Sequence, residues 1–210
     1  MKKTPKIFAS IIVVAFFLFI AYGSDDDSKK ENTETLTSET NSVVSKIQLK
    51  TRLENNIKSL ESNSDFAKDI NSVDGIVITL AVFKAYSIII KEGEESKNEE
   101  EKKLAKTLKE KVSNTQVKNF PKLRLSYYKI LKDKLWEHDV TVSIGGQKNT
   151  ILNLTAGYFA ANKNIKDTQE TLDEMLISLR FKQSNYRWYK GEDEYTYYTI
   201  ESAKDSEVIE

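Results

Sequence analysis

The chain has 210 residues, 39% hydrophobic and 30% charged, which suits one globular domain with an N-terminal extra and excludes both a membrane bundle and a fully disordered chain. Its 32 lysines and arginines match its 32 aspartates and glutamates, so the cationic surplus of a nucleic-acid binder is missing and no nucleic-acid partner is expected. With no cysteine and one histidine, there are no disulfides, thiolate metal sites, cysteine nucleophiles or multi-histidine centres, and neither metal nor cofactor is expected.

Met1, Lys2, Lys3 and Lys6 make a cationic start, and Ile7 to Tyr22 is apolar apart from Ser10. The run stops at Gly23 and Ser24, before Asp25, Asp26 and Asp27. This order of basic tip, apolar middle and small-residue exit is that of an export signal, so residues 1–23 read as a signal peptide or membrane anchor. The expected partner of residues 7–22 is a membrane. Ala21 and Gly23 stand at −3 and −1 of a cut before Ser24. Such a cut removes Lys2, Lys3 and Lys6 and leaves 29 cations against 32 acids, a net charge of −3. Uncut, the run is slightly short of the roughly 20 residues of a spanning helix, and its lysines would stay on the cytoplasmic side.

Residues Phe19 to Asp27 resemble the lipoprotein signal of Bacteroidota, in which a Cys follows a small residue and an acidic stretch after it directs surface export. Here Tyr22 stands where that Cys belongs, and a phenol cannot form the thioether to lipid. The resemblance covers residues 1–28. It implies export across the inner membrane and a membrane-anchored, periplasmic or cell-surface location.

Residues 24–42 are Asp, Ser, Lys, Glu, Asn and Thr with almost no apolar side chain, and are expected as a flexible polar tether. A single globular domain follows over 43–201. Val43, Val44, Ile47, Leu53, Ile57 and Leu60 predict an amphipathic helix. The next helix runs from Gly75 to Glu92, with Asp74 as its cap and Gly93 as its C′ residue. Because Ile76 to Ile90 is apolar nearly all round, this helix is expected to be central, touched on several sides; a second membrane span is the rival. Glu94 to Lys111 is densely charged, with Leu104, Leu108 and Val112 as a narrow stripe, and reads as a surface helix. Phe120, Leu123, Tyr127, Ile130, Leu131 and Leu135 predict a separate helix with Pro121 in its first turn.

The period then changes. Val140, Val142 and Ile144 alternate with polar residues, and a returning strand over 150–155 completes a hairpin around Gly145–Asn149. Residues 157–164 read as a loop. Asp167 and Glu170 are spaced as a capping box for a helix bearing Leu172, Met175, Leu176 and Leu179. Strands over 181–189 and 195–200 form a second hairpin, and the tail 202–210 is polar. The fold class is α+β: N-terminal helices, a β-hairpin, a helix and a second β-hairpin, with one small antiparallel sheet expected.

His138, the only histidine, lacks a GxSxG partner motif and suits the negative pole of a helix end. The acidic clusters lack EF-hand spacing, and Gly145-Gly146 is too short for a phosphate loop. The densest chemistry is aromatic: Tyr186, Arg187, Trp188, Tyr189, Tyr195, Tyr197 and Tyr198 are the candidate ligand-binding residues. Alternation puts Tyr186 and Trp188 on one face and Arg187 and Tyr189 on the other, with Tyr195 and Tyr197 opposed to Tyr198 and Ile200. Rings on both faces fit either cross-strand pairing or an exposed recognition surface. The expected function is an exported, membrane-tethered, non-enzymatic binding or structural domain of the cell envelope, with an envelope protein or glycan as partner. The alternatives are a secreted carboxylate-dependent hydrolase and a structural subunit packing through the charged helix 94–112.

Overall fold

The computed structural model describes residues 37–160 and 165–201; the expected leader 1–23, tether residues 24–36 and the tail 202–210 lie outside the described residues. The chain divides into two units, Met1–Gln48 and Leu49–Glu210, and the hydrophobic core belongs to the second. Three helices come first: α1 (Thr37–Ser62), α2 (Val73–Glu94) and α3 (Glu99–Trp136). Then come β1 (Val140–Gly145), β2 (Ile151–Ala156), α4 (Ile165–Ser178), β3 (Gln183–Gly191) and β4 (Glu194–Glu201). This is the expected α+β order of helices, hairpin, helix and hairpin.

Helix α1 begins at Thr37, inside the segment expected as tether. Helix α2 is capped by Ser72 rather than Asp74: Ser72 has extended backbone and its hydroxyl accepts the Gly75 N–H at 3.2 Å. Gly93 is not a C′ residue. It lies within α2, where an added Cβ would stand 2.6 Å from Ala105 Cβ and 3.2 Å from Leu53 Cδ1. Glycine is required there by close helix approach, not by chain reversal. Helix α2 is also less central than expected. Ile76, Phe83, Ile89 and Ile90 are buried, but Val77, Ile78 and Ile88 are exposed. By length and composition it could cross a bilayer.

The two helices expected over 94–112 and from 120 are one helix of 38 residues, with Pro121 in its interior. Tertiary packing overrides the break that proline and the polar stretch 113–119 imply. The polar side chains there are used inside: Asn119 accepts the Ala67 N–H at 2.9 Å and donates to the carbonyls of Ser64 and Thr115. The expected surface helix is therefore half core, with Glu101, Ala105, Leu108 and Val112 all buried. Glu101 accepts from the Ser96 hydroxyl, which in turn accepts the N–H of the N-cap Asn98.

The sheet order is β1-β2-β3-β4, and it is mixed rather than antiparallel. Both hairpins pair antiparallel, but β2 and β3 run parallel, Leu154 opposite Tyr186. The reason is connectivity: α4 carries the chain back to the start of the sheet before β3 begins, a crossover that makes the joined strands parallel. Helix α4 ends with Arg180 at φ 57°, its N–H bonded to the Ile177 carbonyl and the Phe181 N–H to that of Leu176. Val140, Val142, Leu152, Leu154, Tyr186 and Trp188 share one core with Leu172, Leu176 and Leu179 of α4 and its end and with Leu123, Tyr127 and Leu131 of α3. Helices thus cover one face of the sheet.

Arg124 of α3 is fully buried and joins three segments. Its guanidinium donates to the Lys148 carbonyl at 2.9 and 3.1 Å, to Leu179 at 3.1 Å and to Arg180 at 3.4 Å. The last two carbonyls close α4, whose C-terminal pole favours a cation.

Candidate functional site

The second face of the sheet carries exposed and half-buried side chains, which fall into transverse rows set by the strand register. Ser143, Asn153, Asn185 and Thr199 form one row across all four strands. Asn185 Nδ2 donates to Asn153 Oδ1 at 2.8 Å, Thr199 Oγ1 to Asn185 Oδ1 at 3.0 Å and Asn153 Nδ2 to Ser143 Oγ at 3.4 Å. The next row is Thr141, Thr155, Arg187 and Tyr197. The third is Tyr189 opposite Tyr195.

The β3–β4 turn holds these rows together. Glu192 and Asp193 have φ of 51° and 60°, the two left-handed positions of a two-residue turn whose twist matches the strands. Tyr189 and Tyr195 meet edge to face at 5.4 Å, and the Arg187 guanidinium lies 3.9 Å over the Tyr195 ring.

Two residues of the segment expected as a loop complete the row. Tyr158 packs 5.5 Å from Tyr189, and Phe159 packs edge-on to Tyr158 at 5.4 Å. Their segment is pinned from the end of α3. The Asp139 carboxylate accepts the Phe159 N–H at 2.7 Å, and its carbonyl accepts the Gly157 N–H at 2.8 Å. A Cβ at Gly157 would stand 2.5 Å from Asp139 Oδ2, so a larger residue there must displace that carboxylate. Phe159 is nevertheless 83% exposed and Tyr158 69%. The sequence signal was available: two adjacent large aromatics in a four-residue run after a strand have no helical or strand periodicity to bury them.

Of the seven residues singled out from the sequence, Arg187, Tyr189, Tyr195 and Tyr197 come together on the open face. Tyr186 and Trp188 do not join them; both are buried under the helices. Burial raises the Tyr186 phenol above its ordinary value, and raises that of neighbouring Tyr127 to about 12. Tyr198 lies on the helix side, opposite Tyr186, but remains half-exposed. His138 is exposed just past the end of α3.

A shallow depression of about 330 Å³ on this face is lined by Asn153, Thr155, Asn185, Arg187, Tyr197 and Thr199 among others, and by no carboxylate. Among the described residues no group of three His, Asp or Glu is placed to hold a metal ion. The arrangement offers ring faces and edges, phenol hydroxyls and one guanidinium.

The fold and this face define an α+β domain with one helix-covered and one open, aromatic sheet surface. No protein-family model matches the chain, and no curated protein or solved structure matches it.

Proposed function

We propose that this chain is an exported, membrane-tethered, non-enzymatic domain of the cell envelope that binds a protein partner through the open face of its sheet. The observation that carries the reading is the exposure of Tyr158 and Phe159 on a backbone tied to Asp139 by two hydrogen bonds. Exposed aromatic anchors at the end of a row that also carries Arg187 are of the residue types that dominate protein interfaces. The export half of the reading rests on the basic and apolar start of the sequence and on the acidic stretch after it.

A protein is favoured over a glycan by ring geometry. Neighbouring rings along the row are inclined by 53° to 89°, so they do not form the coplanar platform on which successive sugar rings stack. The hydrolase alternative lacks support, because the depression on this face is lined by no carboxylate. Packing through the charged helix is disfavoured because its apolar side is used inside the fold: Ala105, Leu108 and Val112 are all buried.

The test is a photoreactive residue at Phe159 of the full chain in intact cells, with Val117 of α3 as control, read alongside cell fractionation. The reading expects the chain in the envelope fraction and discrete protein adducts at 159 that fade with Tyr158→Ser. Cytosolic protein, or equal adducts at 117 and 159, contradicts it. Adducts to polysaccharide alone would transfer the site to a glycan.

A further inference from the structure

Among the described residues, strand β4 is the outer strand of the sheet along all of its eight residues. An outer strand leaves a row of backbone N–H and C=O groups open to pairing, and natural edges are guarded by Lys, Pro, a bulge or shortness. Tyr195 to Ile200 reads Tyr, Thr, Tyr, Tyr, Thr, Ile, with no guard residue. The one irregularity of its pairing lies back at Tyr189 and Gly191. The opposite edge, β1, is shorter at six residues and lies along α3. The side chains of β4 are also incompletely covered on both faces. Tyr198 is 46% and Ile200 39% exposed on the helix side, and Tyr197 is 68% exposed on the open side.

We propose that β4 pairs antiparallel with β4 of a second copy about a two-fold axis at Tyr198, joining two sheets into one of eight strands. The register follows from faces and charges. An axis between two residues would set the helix side of one copy level with the open side of the other, because side chains alternate. An axis on a residue keeps the faces continuous, and two such axes engage seven residues of the strand. The axis at Tyr197 places the Glu194 carboxylate opposite Ile200 of the second copy, which desolvates a charge against an alkyl group. The axis at Tyr198 places Ile200 opposite Thr196 and sets the two Tyr198 rings side by side. It also places Glu201 of the second copy opposite Tyr195, over which Arg187 lies at 3.9 Å. Strands pair at about 4.8 Å, so this carboxylate comes within ion-pair reach of that guanidinium, twice per dimer. Charge complementarity therefore selects the second copy in this register.

The chain contains no cysteine, which makes the test clean. In the full chain in membranes, Tyr198→Cys is expected to form a disulfide-linked dimer on mild oxidation. Thr196→Cys and Ile200→Cys are each expected to stay monomeric, because symmetry mates four positions apart lie about 13 Å away, beyond disulfide reach. One chain carrying both substitutions is expected to cross-link. Light scattering in detergent should show a dimer for the unmodified chain and a monomer for Tyr198→Lys with unchanged circular dichroism. The proposal is overturned if Tyr198→Cys does not cross-link, if Thr196→Cys alone does so equally, or if a folded Tyr198→Lys chain remains dimeric.

Discussion

Asp139 and Phe159 are joined by a charge-assisted hydrogen bond of 2.7 Å between a carboxylate at the end of α3 and a backbone N–H beyond β2. That bond fixes the backbone from which two exposed rings project. Asp139 itself has φ 56°, a left-handed position that Asp and Asn tolerate better than Ala. Asp139→Ala is expected to lose about 2–3 kcal/mol of stability from the lost bond and the backbone penalty. Asp139→Asn should lose less, since its carbonyl still accepts. Urea unfolding monitored by circular dichroism measures both; equal losses, or an Ala variant within about 0.5 kcal/mol of the parent, would contradict the pinning role.

Gly93 and Ala105 set the approach of α2 to α3. Gly93→Ala forces a Cβ to 2.6 Å from that of Ala105 and should cost about 1–3 kcal/mol as overpacking, despite the better helix propensity of alanine. Ala105→Gly is expected to recover part of the loss. A double-mutant cycle should return a coupling of at least about 0.5 kcal/mol, and strict additivity would show that the two residues do not limit the packing.

Arg124 holds the β1–β2 turn and the end of α4 to α3 through three carbonyls. Arg124→Met keeps the apolar stem but leaves acceptors of Lys148, Leu179 and Arg180 short of donors. A loss of about 3 kcal/mol is expected, with Arg124→Lys intermediate because an ammonium cannot span the same fork. Hydrogen exchange at Arg180 and Phe181 should quicken selectively in the Met variant. Unchanged exchange there would assign Arg124 a packing role only.

Tyr127 gives the fold an alkaline limit. Its phenol is raised to about 12, first by burial and then by the neighbouring Tyr186, against about 10 in an unfolded chain. A raised folded value means that the fold prefers the protonated form. The contribution is intact below pH ~10 and is lost as pH rises from about 10 to 12. Denaturation midpoints should fall across that window, and fall less in Tyr127→Phe. A flat profile, or an unchanged slope in Tyr127→Phe, would show that this tyrosine does not control the transition.

The elements easiest to anticipate from sequence were those whose period is local. Val140, Val142 and Ile144 alternate, and Leu172, Leu176 and Leu179 share a helical face; both patterns are used in the structure as read. What depended on tertiary partners was not legible. Asn119 and Thr115 look like a helix break until the carbonyl of Ser64 and the N–H of Ala67 are brought to Asn119. Gly93 looks like a helix stop until Ala105 is placed against it. The parallel pairing of β2 and β3 depends on where α4 delivers the chain, which strand periodicity does not encode. At the site, alternation separated Arg187 and Tyr189 from Tyr186 and Trp188. Tyr158 and Phe159 stand out in the sequence only as two adjacent aromatics, and it is the Asp139 carboxylate that gives them a fixed place.

The most direct test of the binding account is hydroxyl-radical footprinting of the full chain, in intact cells and again after purification. Occupancy of the aromatic row predicts that Tyr158, Phe159 and Tyr197 are labelled weakly in cells and strongly once purified, while Val117 and Leu125 on α3 change little. Equal labelling of the three rings in both settings would mean that nothing docks on the open face.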